Sequence, residues 1–277
     1  MAQPRDAPGA RAPGDACALV TYRERGAVAV NGRTLQTVFS LGEVGELLVR
    51  QSVAVVSSML SGCEAGILDA LAARPSELVL IGDGFFFQDV PRFRSGNHLL
   101  PIGHDSVGVC VSSVLGQNPC VAVLARAGSP ISVLVHEIGH LVMDVGLGSG
   151  LVRLFISSSR QRAISAAYQR AKAEGLYPGH VYAMKNESEY FACLTQAYFD
   201  VGANEQTGNI FRGVSTRAAL WERDPRGGAV MLAAWGNGAW RPADVLPPAT
   251  GVPAWVYCAG AVVYVSCAVL IVRRMKI

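Results

Sequence analysis

Two histidines and a glutamate pose the first chemical question of this chain. In the stretch SPISVLVHEIGHLVMDV, residues 129–145, His136, Glu137 and His140 stand at i, i+1 and i+4. On a helix, His136 and His140 leave one face about 5–6 Å apart at Cβ. That lets two imidazole nitrogens reach one zinc ion at roughly 2.0–2.1 Å. Glu137 is turned by about 100° from His136, so it is not placed as a third ligand. It lies beside the metal's open position, where it can take a proton from water. Ser129 is a suitable N-cap and Pro130 suits the first helical position. Ile138, Leu141, Val142 and Val145 are expected to bury the helix, and Gly139 to let another segment approach it. A helix that merely buried two histidines would gain nothing from the glutamate between them, since an unpaired buried carboxylate is strongly destabilising.

A hydrolytic zinc site needs a third protein ligand and one open position. His140 is followed by LVMDVGLGSG, which contains no histidine, so the ligand must come from elsewhere. The best source is YAMKNESEYFACLTQAYF, residues 182–199. Asn186 reads as an N-cap, which puts Glu189 in the first turn of an apolar helix packed through Phe191, Leu194, Ala197 and Tyr198. A carboxylate there has use for a cation, although complementarity to the helix dipole would also explain it. Glu187 is the rival ligand; it sits closer to the cap and is expected to face solvent.

The elements that must position these residues follow from the rest of the pattern. VAVNGRTLQTV carries Asn31-Gly32 between alternating apolar residues and predicts a hairpin. Helical periodicity runs from about 43 to 73 with a break near Ser61-Gly62, and Val49, Val53, Val56 and Leu60 form its candidate buried stripe. ELVLIGDG, SVGVCVSSV and CVAVLARAG read as strands, the last two joined by a turn at GQNP. Further helices are predicted over about 151–173, over about 187–199 after the loop GLYPGH, and within RAALWERDPRGGAVMLAAWG. Strands cluster in the first half and helices in the second, which makes the fold class α+β.

Composition limits the function classes. The 277 residues carry 24 basic and 21 acidic side chains, a net charge of +3. That balance gives no case for a nucleic-acid partner. The seven cysteines show no CxxC spacing, so neither a disulfide framework nor a thiolate metal site is suggested. Residues 1–16 read as a flexible arm without the apolar core of a secretory signal. Residues 17–240 form the main domain, and the Pro-rich 241–253 a linker. The run 254–272, AWVYCAGAVVYVSCAVLIV, holds no charge and precedes the basic tail 273–277. Its length matches a hydrocarbon core of about 30 Å, with Trp255 and Tyr257 at one interface and Arg273, Arg274 and Lys276 at the other. The positive-inside rule alone would carry the main domain across the membrane. Without an export signal, insertion as a C-terminal tail anchor is preferred, and this leaves the domain in the cytosol.

The combination of HEIGH with YAMKNESEYFA, a tyrosine seven residues before a glutamate and Phe-Ala just after it, resembles the zinc peptidase domain of anthrax toxin lethal factor. It is also similar to the secreted bacterial Pro-Pro endopeptidases. The resemblance covers about 78–236, including QAYF and RAALWERDP. It implies a zincin-like fold, with a small mixed sheet on the motif helix and a helical C-terminal half. It further implies zinc-dependent endopeptidase activity on a peptide or protein. His136, His140 and Glu189 match the metal ligands, Glu137 the general base, and Tyr182 the tyrosine that stabilises the oxyanion. One position departs: where the family has a second glutamate four residues after the ligand, this chain has Cys193. That loss is the one feature favouring a membrane-anchored zincin-fold binding protein without activity, and it leaves support of the metal ligands in question.

The span itself yields a test. Full-length chain is expected to fractionate with membranes and resist carbonate extraction, whereas a chain ending near Pro247 stays soluble. Equal recovery of both in the soluble fraction would rule the anchor out.

Overall fold

Asn31 and Gly32, at φ 52° and 76°, both lie in the left-handed region, where asparagine is tolerated and glycine unstrained. They fold β1 (Tyr22–Val30) back onto β2 (Arg33–Leu41) as an antiparallel pair, as the alternating pattern predicts. The computed structural model describes residues 22–94, 106–112, 118–127, 129–148, 159–202 and 213–237. Two helices, α1 (Glu46–Ser61) and α2 (Ala65–Ala73), then cross over to β3 (Ser76–Ile81), which runs parallel to β2. The break between them has a packing cause: a Cβ on Gly62 would lie 2.3 Å from the Trp235 carbonyl oxygen. Of the expected α1 stripe, Val49, Val56 and Leu60 are buried, whereas Val53 is only partly so.

A short α3 (Pro91–Arg94) leads to β4 (Gly108–Val111) and β5 (Cys120–Leu124). β5 pairs parallel to β3 and antiparallel to β4, so the five-stranded mixed sheet has the order β1-β2-β3-β5-β4. Gly116 and Gln117 of the expected GQNP turn lie outside the described residues. All five residues of β5 are buried, as an internal strand covered on both faces requires. Alternation then divides the core. Leu78, Leu80, Val121 and Val123 pack on the helical side, and Val79, Ile81, Ala122 and Leu124 pack with Phe87, Val90 and Phe93 on the other.

β5 feeds α4 (Pro130–Leu141), which continues as a π-helical turn over Val142–Gly146. Ser129 occupies the N-cap position, but its hydroxyl bonds no backbone N–H of the helix. Its carbonyl opens the ladder instead, accepting from Val133 N at 3.1 Å. Ile138, Leu141, Val142 and Val145 are buried as expected. α5 (Ser159–Ala173), α6 (Glu187–Tyr198), α7 (Arg217–Arg223) and α8 (Pro225–Trp235) complete eight α-helices among the described residues. The fold is thus α+β, but α1, α2 and α3 lie among the strands and only α4–α8 follow them, so the expected division of strands first and helices second holds only in part. No described helix is long and apolar enough to cross a membrane, and the expected span 254–272 lies outside the described residues.

α4 and α6 come together at Gly139, where an added Cβ would sit 3.0 Å from Ala192 Cα and 3.1 Å from Thr195 Oγ1. The expected close approach is therefore made by α6. A branched side chain there has no room. Gly139→Val is expected to destabilise the chain by roughly 1–3 kcal/mol through overpacking, measured by urea unfolding. An unchanged midpoint would show that the two helices are not held at this contact.

Candidate metal centre

One turn of α4 separates the two histidines, and the rings meet edge-on with centroids 4.8 Å apart and planes at 84°. Their Nε2 atoms lie 3.1 Å from each other. α6 supplies the third group. Asn186 caps it, its Oδ1 accepting from Glu189 N at 2.9 Å, as its sequence pattern predicts. This fixes the first turn and aims Glu189 across the contact with α4. Glu189 Oε2 stands 3.1 Å from His136 Nε2 and 3.3 Å from His140 Nε2. One ligand atom from each of His136, His140 and Glu189 falls within 4.8 Å of the others. Two imidazoles and one carboxylate converging at this distance could hold a metal ion. Burial raises the Glu189 pKa, but hydrogen bonds and charge from His136 and His140 outweigh it and hold the carboxyl well below its ordinary value.

The rival carboxylate is engaged elsewhere. Glu187 is half-buried rather than facing solvent, and accepts from Ser165 Oγ on α5 at 2.8 Å. Cys193 is fully buried in the core and stays outside the converging set. Burial, and then the Glu189 charge, push its thiol well above the usual range. Two other side chains, not singled out by sequence pattern, touch the imidazoles. Gln196 Oε1 lies 3.1 Å from His136 Nδ1, and Ser188 Oγ lies 2.8 Å from His140 Nδ1. Both sit on α6, so one helix carries a ligand and both outer contacts of the histidine pair. The signal that could have found Gln196 is its place on an otherwise apolar helix, since a buried amide needs partners.

Tyr182 begins a short 3₁₀ turn (Tyr182–Met184) and donates from its hydroxyl to Glu189 Oε1 at 2.8 Å. Burial, then the neighbouring carboxylate, raise the phenol well above its ordinary pKa, so it remains a donor at physiological pH. Glu137 lies on the side of α4 that faces β4. A Cβ on Gly108 would fall 2.7 Å from Glu137 Oε1 and 2.5 Å from Val133 Cγ1, so only glycine lets the strand cross there. Glu137 is 7 % exposed and has no hydrogen-bond partner among the described residues. Burial raises its pKa and the Glu189 charge adds to this, while His136 opposes it; the result is about 7.

The structure therefore brings together all five residues singled out in the sequence: His136, Glu137, His140, Tyr182 and Glu189. No family model, curated protein or solved structure matches the chain.

Glu137 has a consequence for stability in the metal-free protein. Its folded pKa of about 7 stands above the ordinary 4.5 of a free glutamate, so between these values the folded state holds more protons and stability falls as pH rises. The penalty is absent below the lower value and complete above the upper one. Glu137→Gln removes it. With a chelator present, the substitution is expected to stabilise the chain relative to wild type by up to about 3 kcal/mol at pH 8 and by little at pH 4.5, read from urea unfolding. A difference independent of pH would mean that Glu137 titrates normally.

Proposed function

We propose that the chain is a zinc-dependent metalloendopeptidase of zincin type, held at a membrane by the run 254–272 with its main domain in the cytosol. The observation that carries this reading is the convergence of His136, His140 and Glu189 beside a buried, unpartnered Glu137. His136, His140 and Glu189 would hold the ion. Zinc at this position would supply Lewis acidity, lowering the pKa of water and polarising a peptide carbonyl.

The chain's own residues do the rest. Glu137, with a pKa near neutrality, accepts the proton of the attacking water and returns it to the leaving amine. Tyr182 releases its bond to Glu189 and donates to the developing oxyanion. The substrate has a place to lie. Among the described residues β4 is an edge strand, and Leu124 N bonds Val107 O at 3.0 Å. By the alternation of an antiparallel ladder, Gly108 and Cys110 then turn their N–H and C=O groups away from β5. An extended peptide can add there, directly beside Glu137. β5 is internal, so of the two strands considered from sequence only β4 can serve. The competing reading, an inactive zincin-fold binding protein, rests on Cys193 in place of glutamate. Gln196 and Ser188 contact the histidines from the same helix, which weakens that case.

The full-length chain is expected to bind close to one zinc ion and to cleave members of a broad peptide library. Glu137→Gln should keep the zinc and lose activity by several orders of magnitude, since the base is gone. Tyr182→Phe should lower the rate by roughly 10²–10³ with zinc retained. Gly108→Ala, which pushes on Glu137, should lower it by roughly 10². Zinc binding without any cleavage would favour the binding protein. A wild type that binds no zinc, or a Glu137→Gln variant as active as wild type, would overturn the proposal.

A further inference from the structure

The hydrogen-bond chain through Gln196 has a direction, and that direction is decided at its far end. Ser132 Oγ lies 2.7 Å from Val201 O. A carbonyl only accepts, so the Ser132 hydroxyl donates there and keeps its lone pairs for another donor. Gln196 Nε2 lies 2.9 Å from that hydroxyl oxygen and 3.0 Å from Ser132 O. Both atoms call for a donor, so this end of the amide is the NH₂ group. Turned over, the amide would aim its oxygen at two acceptors. The amide oxygen therefore faces His136 Nδ1, at 3.1 Å. It too only accepts, so Nδ1 is the nitrogen that carries hydrogen. A neutral imidazole has one donor and one acceptor nitrogen, so the form that offers Nε2 to a metal is the one that keeps its hydrogen on Nδ1. Nε2 is the atom turned towards His140 and Glu189.

We propose that Gln196, aligned by Ser132 and the Val201 carbonyl, is the positioning residue that fixes His136 as its Nδ1–H tautomer and presents Nε2 to a metal. The inference rests on the metal reading above. Burial makes the assignment firm, because Ser132, Gln196 and His136 are 2 %, 0 % and 6 % exposed and solvent offers no competing partners. The chemistry also selects the residue type. One end must accept and the other must donate to two acceptors; a carboxylate does only the first and a thioether neither. Cys193 lies one turn nearer Glu189, but its thiol is a weak donor buried in the core. His140 has no equivalent lock. Its Nδ1 meets the Ser188 hydroxyl, which can donate or accept and so dictates nothing.

The test uses the full-length chain labelled with ¹⁵N-histidine, loaded with zinc and titrated against a chromophoric chelator. Wild type is expected to show a slowly exchanging Nδ1–H signal from His136, assigned by its loss in His136→Gln. Gln196→Met is expected to lose the slow exchange and to bind zinc roughly 10–100-fold more weakly. Gln196→Glu retains an acceptor for Nδ1 and is expected to keep the signal, even where losing the Ser132 contacts lowers its melting temperature. A wild-type signal from Nε2–H instead overturns the proposal, and that reading needs no variant to fold. So does a Gln196→Met chain with unchanged zinc affinity, or loss of the signal in both variants alike, which would mark Gln196 as a packing residue. A wild type that takes up no zinc at all overturns the metal reading and this inference together. Zinc uptake with unchanged affinity in Gln196→Met overturns this inference alone.

Discussion

The contact of α4 with α6 at Gly139 is the constraint on which the centre depends. His136 and His140 flank that glycine on α4, and Ala192 and Thr195 meet it from α6. Helix periodicity then sets what else can meet. Glu189 stands one turn before Ala192, so it arrives opposite the two imidazoles, and Gln196 follows Thr195 and arrives behind His136. A larger residue at 139 would separate the helix axes, and the ligand distances would open with them. Sheet and caps serve this contact. β5 delivers the chain into α4 through Ser129-Pro130, and Asn186 fixes where α6 begins. The site is thus a consequence of one close helix pair rather than of loops folded around an ion.

Features that depend on neighbours in the chain were legible in the sequence. The Asn31-Gly32 hairpin, the strands β3 and β5, the Asn186 cap and the i, i+4 histidines follow from local periodicity and turn chemistry. Glu189 was legible as a carboxylate in the first turn of an apolar helix, with the resemblance deciding it over Glu187. Gly108, Ser132, Ser188 and Gln196 could not be read the same way, because their partners lie far off in sequence. Gln196 meets His136 across 60 positions, and Gly108 faces Glu137 from a strand whose pattern shows only that it is extended. Ser129 differs from expectation in that it takes the N-cap position without a hydroxyl cap to the helix backbone. Partial exposure of Val53 shows the limit of a stripe drawn on a helical wheel, which places a side chain on a face without saying how far the covering layer extends.

Cys193 stands where the resemblance implies a second glutamate. A glutamate at that position would place a second carboxylate one turn from Glu189. Here the position carries an apolar-packed thiol, and outer contacts to the histidines come from Ser188, on the N-terminal side of Glu189, and Gln196, two turns beyond it. Neutral groups replace a charge. Both imidazoles lie within ion-pair distance of Glu189.

Two carboxylates within one site are pushed in opposite directions, and this is the strongest physical reason to give them different roles. Burial raises the Glu189 pKa, yet hydrogen bonds and charge from the two imidazoles outweigh it, so its carboxyl is held well below the usual range. Glu137 is buried without a hydrogen-bond partner among the described residues, and its carboxyl rises to about 7. A ligand must stay ionised at every working pH, whereas a base must bind and release a proton near neutrality. Exchanging the two environments would defeat both tasks. A Glu189 that protonated near pH 7 would release a cation there, and a Glu137 held as firmly ionised as Glu189 would be too weak a base to take a proton from water. The separation arises from packing: α4 and the 3₁₀ turn bring partners to Glu189, and β4, crossing at Gly108, closes over Glu137 and brings it none.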